Sequence, residues 1–429
     1  MSKIPKNRNK KLKVWILQTG EPLIIDDVNP RPMRGMNLAS KLVERGHEVI
    51  FFSSKFNHQK KRQRKHKEKL IKFNSKLSFY LIDSPGYKNN ISFKRLYDHI
   101  ILGYNLKKTL YSKLDLPDIV FIGYPPIEVS YVMSEWLKKK KIPYILDIKD
   151  QWPDLIIEAF PKKIRLLIKF ILYPYYYFAI STMKSANSLT SMSKSYLKWG
   201  QKFAKKIKIE NDKILPLVPG RKNLDADKIK FANEWCELNF INKEKDFNII
   251  FLGTMSQAFE FETVIKCAKE FQNSNVKFIF CGDGELKNSL IRKTNNIKNI
   301  FFSGWIEEEK ISAIANRCSL AIAPYRNIKN FRDNIPNKII DYLSFGLPIL
   351  SSLTGEVKSL LDKEKIGFSY NEQSCTSLKQ KIIKFIDDKE TMKLYSKNAY
   401  KLYCTKYTYD IVYGDAVDLI EKIYKTSQL

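Results

Sequence analysis

At 429 residues, 44% hydrophobic and 28% charged, the chain is too long for one ordinary domain and too apolar for wholesale disorder. Its 75 Lys and Arg outweigh 45 Asp and Glu, and the formal charge of +30 points to an anionic partner: nucleic acid, anionic lipid or a phosphorylated small molecule. The six cysteines form no CxxC pair and the four histidines no HxxxH or HExxH spacing, which argues against a disulfide framework and a metal site; reduced thiols and no metal or cofactor are expected.

The basic start, Met1-Ser2-Lys3-Ile4-Pro5-Lys6, is followed by an apolar run (12–17) too short for a signal peptide. No stretch reaches the roughly 18–20 apolar residues of a spanning helix, so the expected location is cytoplasmic. Apolar runs at 12–18, 48–53, 78–82, 118–123, 143–148 and 188–191 alternate with helical candidates, notably 32–45 and 127–141. This is the pattern of one open parallel sheet joined by helices. Near 216–246 the pattern lapses, and Pro216, Pro219, Gly220 and the charged stretch 221–230 read as a connection. A second strand–helix series follows, with strands at 247–253, 276–282, 299–304, 319–324 and 347–353, and then helix alone from about 374 to 424. The expected division is 1–218, 219–395 and a C-terminal helical segment 396–429 that packs back on the first domain. Two doubly wound α/β domains facing a cleft would carry their ligands beyond the carboxyl ends of their strands.

Residues 330–348 hold a short helix with its end signals in place. Asp333 or Asn334 can cap it, Pro336 suits its first turn, and Gly346 and Pro348 end it. Such a helix start offers N–H groups to a phosphate, to which Lys338 adds a full charge. Asp341, one turn on, can accept sugar hydroxyls, though a plain cap and an ordinary i,i+3 pair explain the same residues. In Phe280-Cys281-Gly282-Asp283-Gly284-Glu285-Leu286 a buried strand breaks into a tight turn whose glycines allow a base or ribose to approach; an ordinary strand–helix turn reads the same.

Together these segments resemble the donor half of retaining GT-B glycosyltransferases, specifically glycosyltransferase family 4. Phe251-Leu252-Gly253, the Gly282-Asp283-Gly284 turn, Phe302-Ser303-Gly304-Trp305, Ala323-Pro324-Tyr325 and the 336–348 segment keep the family's order. The resemblance implies a nucleotide-sugar donor, preferably a UDP-sugar, held by Gly253, Thr254, Gly282, Asp283, Gly284, Arg326, Arg332, Pro336, Asn337, Lys338 and Asp341. The family's E-x7-E pair falls here on Asp333 and Asp341, each a methylene shorter. The family's cations after the first strand of this domain are missing, and Lys338, with Arg326 or Arg332, is expected to replace them.

In the first half, Asp147-Ile148-Lys149-Asp150-Gln151-Trp152-Pro153 is similar to the D-x-R-D-x-W-P of bacterial surface-polysaccharide transferases. Gly20, Arg31, Arg34, Asp147 and Lys149 are expected on the acceptor side, where Arg31 and Arg34 either meet an acceptor phosphate or form a solvated helix face. Catalysis is assigned to Lys338, Asp333 and Asp150, with Asp150 otherwise a helix cap. The stretch 162–178 mixes cations, aliphatics and tyrosines, as a helix lying on an anionic membrane would, or a core helix with a basic face. The expected enzyme transfers a sugar to a lipid-linked or other glycan acceptor in surface-polysaccharide synthesis, peripheral at the inner membrane face. A nucleotide-sugar epimerase or hydrolase and a non-catalytic scaffold are the rival readings. Nucleic acid is not an expected partner, because charge comes here without a binding motif.

Overall fold

The computed structural model describes residues 10–26, 31–90, 92–112, 114–158, 160–220 and 224–429. They form two compact units, Met1–Gly220 with Tyr409–Leu429, and Arg221–Thr408.

The first unit opens with β1 (Lys13–Leu17), α1 (Arg34–Glu44), β2 (Glu48–Ser54) and the short pair β3 (Phe56–Asn57) and β4 (Arg62–Gln63). Next come β5 (Leu70–Lys72), β6 (Leu77–Ile82), α2 (Phe93–Leu110), β7 (Ile119–Tyr124), α3 (Ile127–Lys140) and β8 (Tyr144–Ile148). The unit continues through α4 (Asp154–Glu158), α5 (Arg165–Ile171), α6 (Tyr173–Ser185), β9 (Ser188–Ser191), α7 (Lys194–Phe203) and β10 (Lys213–Ile214). Eight strands make one sheet in the order β10-β9-β8-β7-β1-β2-β6-β5. All its pairings are parallel but one: β5 runs antiparallel to β6, so the sheet is not wholly parallel as its sequence suggests. The connection from β5 to β6 is a tight turn in which Asn74 accepts the N–H groups of Lys76 and Leu77, too short for a crossover.

Side chains alternate across this sheet. Trp15, Leu17, Val120, Ile122, Leu146 and Ile148 face one way and form a core with α2, α3 and α6. Phe121 faces the other way, towards α1 and the last helix, α17 (Tyr409–Ser427). Lys41–Asp410 (2.6 Å) and His47–Glu421 (3.1 Å) join α17 to α1 and the turn that follows it.

The second unit begins with α8 (Ala226–Leu238), which the charged composition there disguised as a connection. Asp225 accepts the N–H groups of Asp227 and Lys228 as its N-cap, and Ala232 and Cys236 bury its inner face. The unit proceeds through β11 (Phe247–Leu252), α9 (Phe261–Glu270), β12 (Val276–Cys281), α10 (Lys287–Lys293), β13 (Ile300–Gly304), α11 (Glu308–Ala315) and β14 (Leu320–Ala323). Then come α12 (Lys329–Arg332), α13 (Asn337–Ser344), β15 (Ile349–Ser351), α14 (Glu356–Glu364), β16 (Gly367–Ser369), α15 (Cys375–Asp387) and α16 (Lys389–Leu402). Its six strands, ordered β13-β12-β11-β14-β15-β16, are parallel throughout.

Among the described residues no single helix is long and apolar enough to cross a membrane. Residues 162–171 and 173–185 meet that test only as a pair, bent by 67°.

Candidate functional site

The carboxyl ends of β11, β12 and β13 are stitched into a crest by backbone hydrogen bonds. Gly253 donates to Cys281 O, Gly282 to Gly304 O and Met255 to Asp283 O, each at 2.8 Å. This closeness is why glycine is required. A Cβ on Gly284 (φ +153°) would lie 2.4 Å from Met255 O. Asp283 is exposed and bonded to Lys287 (2.9 Å), a contact that lowers its pKa. Thr254 is exposed beside it.

Lys338 reaches the same crest. A Cβ on Gly253 (φ +126°) would fall 1.5 Å from Lys338 Nζ, so the ammonium sits directly over the turn after β11. It lies against the faces of Phe251 (5.2 Å) and Phe259 (5.3 Å). This cation comes from α13 and not from the loop after β11. That helix is held in place by Tyr342, whose hydroxyl accepts from Leu252 N (3.1 Å) and donates to Ile322 O (3.0 Å). Asp341, half-buried, lies close enough to Tyr325 to raise the pKa of its phenol, although burial is the larger cause.

The start of α13 differs from its sequence reading. Pro336 occupies the N-cap position (φ −64°, ψ 151°) and no side chain caps the helix. Asp333 ends α12 instead and pairs with Lys329 one turn back (3.1 Å), while Asn334 accepts the N–H of Ile335. The reason is that 329–332 is itself helical, which makes Asp333 the C-cap of α12. Asn337 is exposed in the first turn. Arg326 is exposed and donates to Gln257 O (2.9 Å), which ties it to the loop after β11; Arg332 is exposed on α12.

The first unit holds a cavity of about 370 Å³ at the carboxyl ends of β1, β2, β7 and β8. Gly20, Lys149 and Asp150 line it. Lys149 donates to Gln18 (2.7 Å) and lies 3.5 Å from Glu21, whose carboxylate accepts the Gly35 N–H (2.8 Å) in the first turn of α1. Burial pushes the Asp150 carboxyl up to about 6, opposed by Lys149 and Arg95. Burial lowers His58 to about 4 and His99 to about 3, helped in both by Arg95, so both rings are neutral near pH 7. Arg95 lies over the rings of Trp152 (5.0 Å) and Tyr87 (5.6 Å). A wall of neutral imidazoles, aromatic faces and a carboxylate that ionises near pH 6 suits a polyhydroxylated ligand. The sequence reading missed His58, Tyr87, Arg95 and His99, and no local motif marks them.

Arg34 and Asp147 do not join this cavity. They form a buried ion pair (2.9 Å, 3% and 0% exposed), with Arg34 also donating to Leu215 O (2.6 Å) and Thr190 to Asp147 (2.8 Å). Position along the strand decides this: Asp147 lies inside β8, on the sheet face covered by α1, whereas Lys149 lies beyond the end of the strand at the cavity. Arg31 is exposed ahead of α1.

Residues 237–402 match the family described as glycosyl transferases group 1. No curated protein matches the chain in sequence. Among solved structures, sucrose-phosphate synthase from Thermosynechococcus elongatus superposes with a TM-score of 0.70 at 11% identity, over 97% of this chain and 100% of that one. WaaG, a glycosyltransferase involved in lipopolysaccharide biosynthesis, gives 0.61 at 16% identity over 95% and 99%. Anabaena HepE in complex with UDP gives 0.62 at 12% identity over 98% and 100%. The fold is GT-B, with a largely parallel α/β sheet in the first unit and a wholly parallel one in the second, and the matched domain supports a glycosyltransferase.

Proposed function

We propose that this glycosyltransferase moves a sugar, with retention of configuration, from a UDP-sugar to a lipid-linked glycan acceptor in surface-polysaccharide synthesis. The observation that carries the reading is the Lys338 ammonium seated over Gly253 at the end of β11. A diphosphate there meets a full charge and the positive dipole end of α13. As the bond to the sugar loosens, charge grows on the leaving diphosphate, and groups already aimed at it lower the barrier. Asp341 takes the ribose and the Gly282-Asp283-Gly284 turn approaches the base, while Asp333 faces the sugar. Arg326 and Arg332 add positive charge near the phosphates. In the first unit the cavity takes the acceptor, with Asp150 beside the hydroxyl that attacks and Arg31 at its anionic end. UDP in HepE supports the choice of nucleotide, and the pathway of WaaG supports the acceptor class. The basic, aromatic α5–α6 segment supports a location at the inner face of an anionic membrane.

The test is a thermal-shift screen of the purified protein against UDP, GDP, CMP and their sugars, with Lys338→Ala as control. A rise in Tm with UDP ligands, lost in the variant, is expected. Folded protein that no nucleotide stabilises sinks the reading. Donor consumption that needs no acceptor turns it into a hydrolase or epimerase.

A further inference from the structure

α2 has two faces with different chemistry. Its inner face buries Leu102, Leu106 and Leu110 in the core, and Arg95, Asp98 and His99 line the cavity. Its outer face presents Phe93 (91% exposed), Tyr97 (58%), Ile100 (47%) and Tyr104 (55%) at i, i+4, i+7 and i+11, one continuous helical stripe open to water. Single exposed apolar residues are ordinary, but a stripe of four on one helix is not. The exposed Lys94, Lys107 and Lys108 border it. The helix has one acidic residue, Asp98, which is buried and accepts from Ser84 and from Gly86 N (2.6 Å). The outer face therefore carries cations and rings and no carboxylate.

A second surface on the same side of the sheet repeats this composition. α3 packs against both α2 and α6, and all three cover one sheet face. On α5, which leads into α6, Leu166 (81%) and Phe170 (79%) are exposed, and residues 162–185 hold five cations and no acid.

We infer that the outer stripe of α2 docks on an anionic bilayer, its rings in the headgroup boundary and its lysines among lipid phosphates, so that the cavity walled by the inner face of the same helix opens beside the membrane. The occupant follows from charge and ring type. A second copy of this cationic face would repel it, whereas tyrosines rimmed by lysines suit a bilayer interface. The inference rests on the acceptor being carried on lipid and deepens it, because one helix then serves as both foot and cavity wall.

The experiment is flotation of the full-length protein with phosphatidylglycerol-containing or pure phosphatidylcholine vesicles, at low and high salt. The wild type is compared with Phe93→Ser/Tyr97→Ser/Ile100→Ser/Tyr104→Ser and, separately, Lys107→Glu/Lys108→Glu. Anionic vesicles are expected to bind the wild type in a salt-sensitive way, with both variants at least about tenfold weaker. The UDP-induced Tm shift, read in the same samples, reports that the variants are folded. Variants that float like the wild type overturn the proposal, as does wild type that ignores anionic vesicles. So does a concentration-dependent dimer lost in the first variant, which would make the face a contact between copies. Vesicle binding that depends on α2 in protein with no nucleotide response would instead defeat the donor assignment and leave this inference standing.

Discussion

The crest at the strand ends of the second unit and the cavity of the first are assembled in opposite ways. The crest is made of backbone: turns at 253–255 and 282–284 and the start of α13 lie at strand and helix ends, where short runs of sequence dictate the geometry. The cavity is made of side chains. His58, Tyr87, Arg95, His99 and Asp150 come from separate segments and meet because β1 sits between β2 and β7 in the sheet. A site built from peptide groups leaves a motif in the sequence, whereas one built from distant side chains leaves almost none.

The comparison breaks most directly at the buried pair in the first unit. Arg34→Ala should destabilise that unit by about 3–5 kcal/mol in urea unfolding, because it strands a fully buried Asp147. The double replacement Arg34→Met/Asp147→Leu should recover most of the loss. A stable Arg34→Ala protein with a weakened acceptor KM would return Arg34 to the acceptor side. In the crest, Lys338→Ala should lower kcat/KM for the donor by about 10²–10³-fold while Tm without ligand barely moves. A loss below threefold would place the diphosphate elsewhere. Asp341→Ala should weaken donor binding more than Asp333→Ala, since Asp333 is already engaged by Lys329.

In the cavity, Asp150→Asn should cost about 10²-fold in transfer. It should also remove an acidic limb near pH 6 from the kcat/KM profile, because the wild-type carboxylate ionises only above about 6. An unchanged profile would reduce Asp150 to a structural role. The smallest effect belongs to Glu128, pushed up to about 7 chiefly by burial. A raised carboxyl pKa favours the folded protein at low pH, and that contribution is lost as pH rises from about 4.5 through 7. Glu128→Gln should therefore narrow the Tm difference between pH 5 and pH 8 by a few degrees, on the order expected for a single group. No narrowing would mean that Glu128 is already ionised.

Much of the fold was legible because an apolar run between helical stretches has few alternatives to a buried parallel strand. The turn 282–284 and the helix ended by Gly346 were equally legible. Where charge concealed structure, as at α8, composition misled: a helix with one narrow buried face resembles a solvated connection when read residue by residue.

The sequence alone determined the α/β alternation, most of the strand positions and the glycine turn at 282–284, because each follows from the pattern of some ten neighbouring residues. Only the tertiary structure decided that Arg34 and Asp147 are buried against each other, that Arg95 and two neutral histidines wall a cavity with Asp150, and that α2 keeps an apolar stripe outside. Those outcomes depend on strand order and on which side of the sheet a helix covers, and both are settled by packing between segments far apart in the chain.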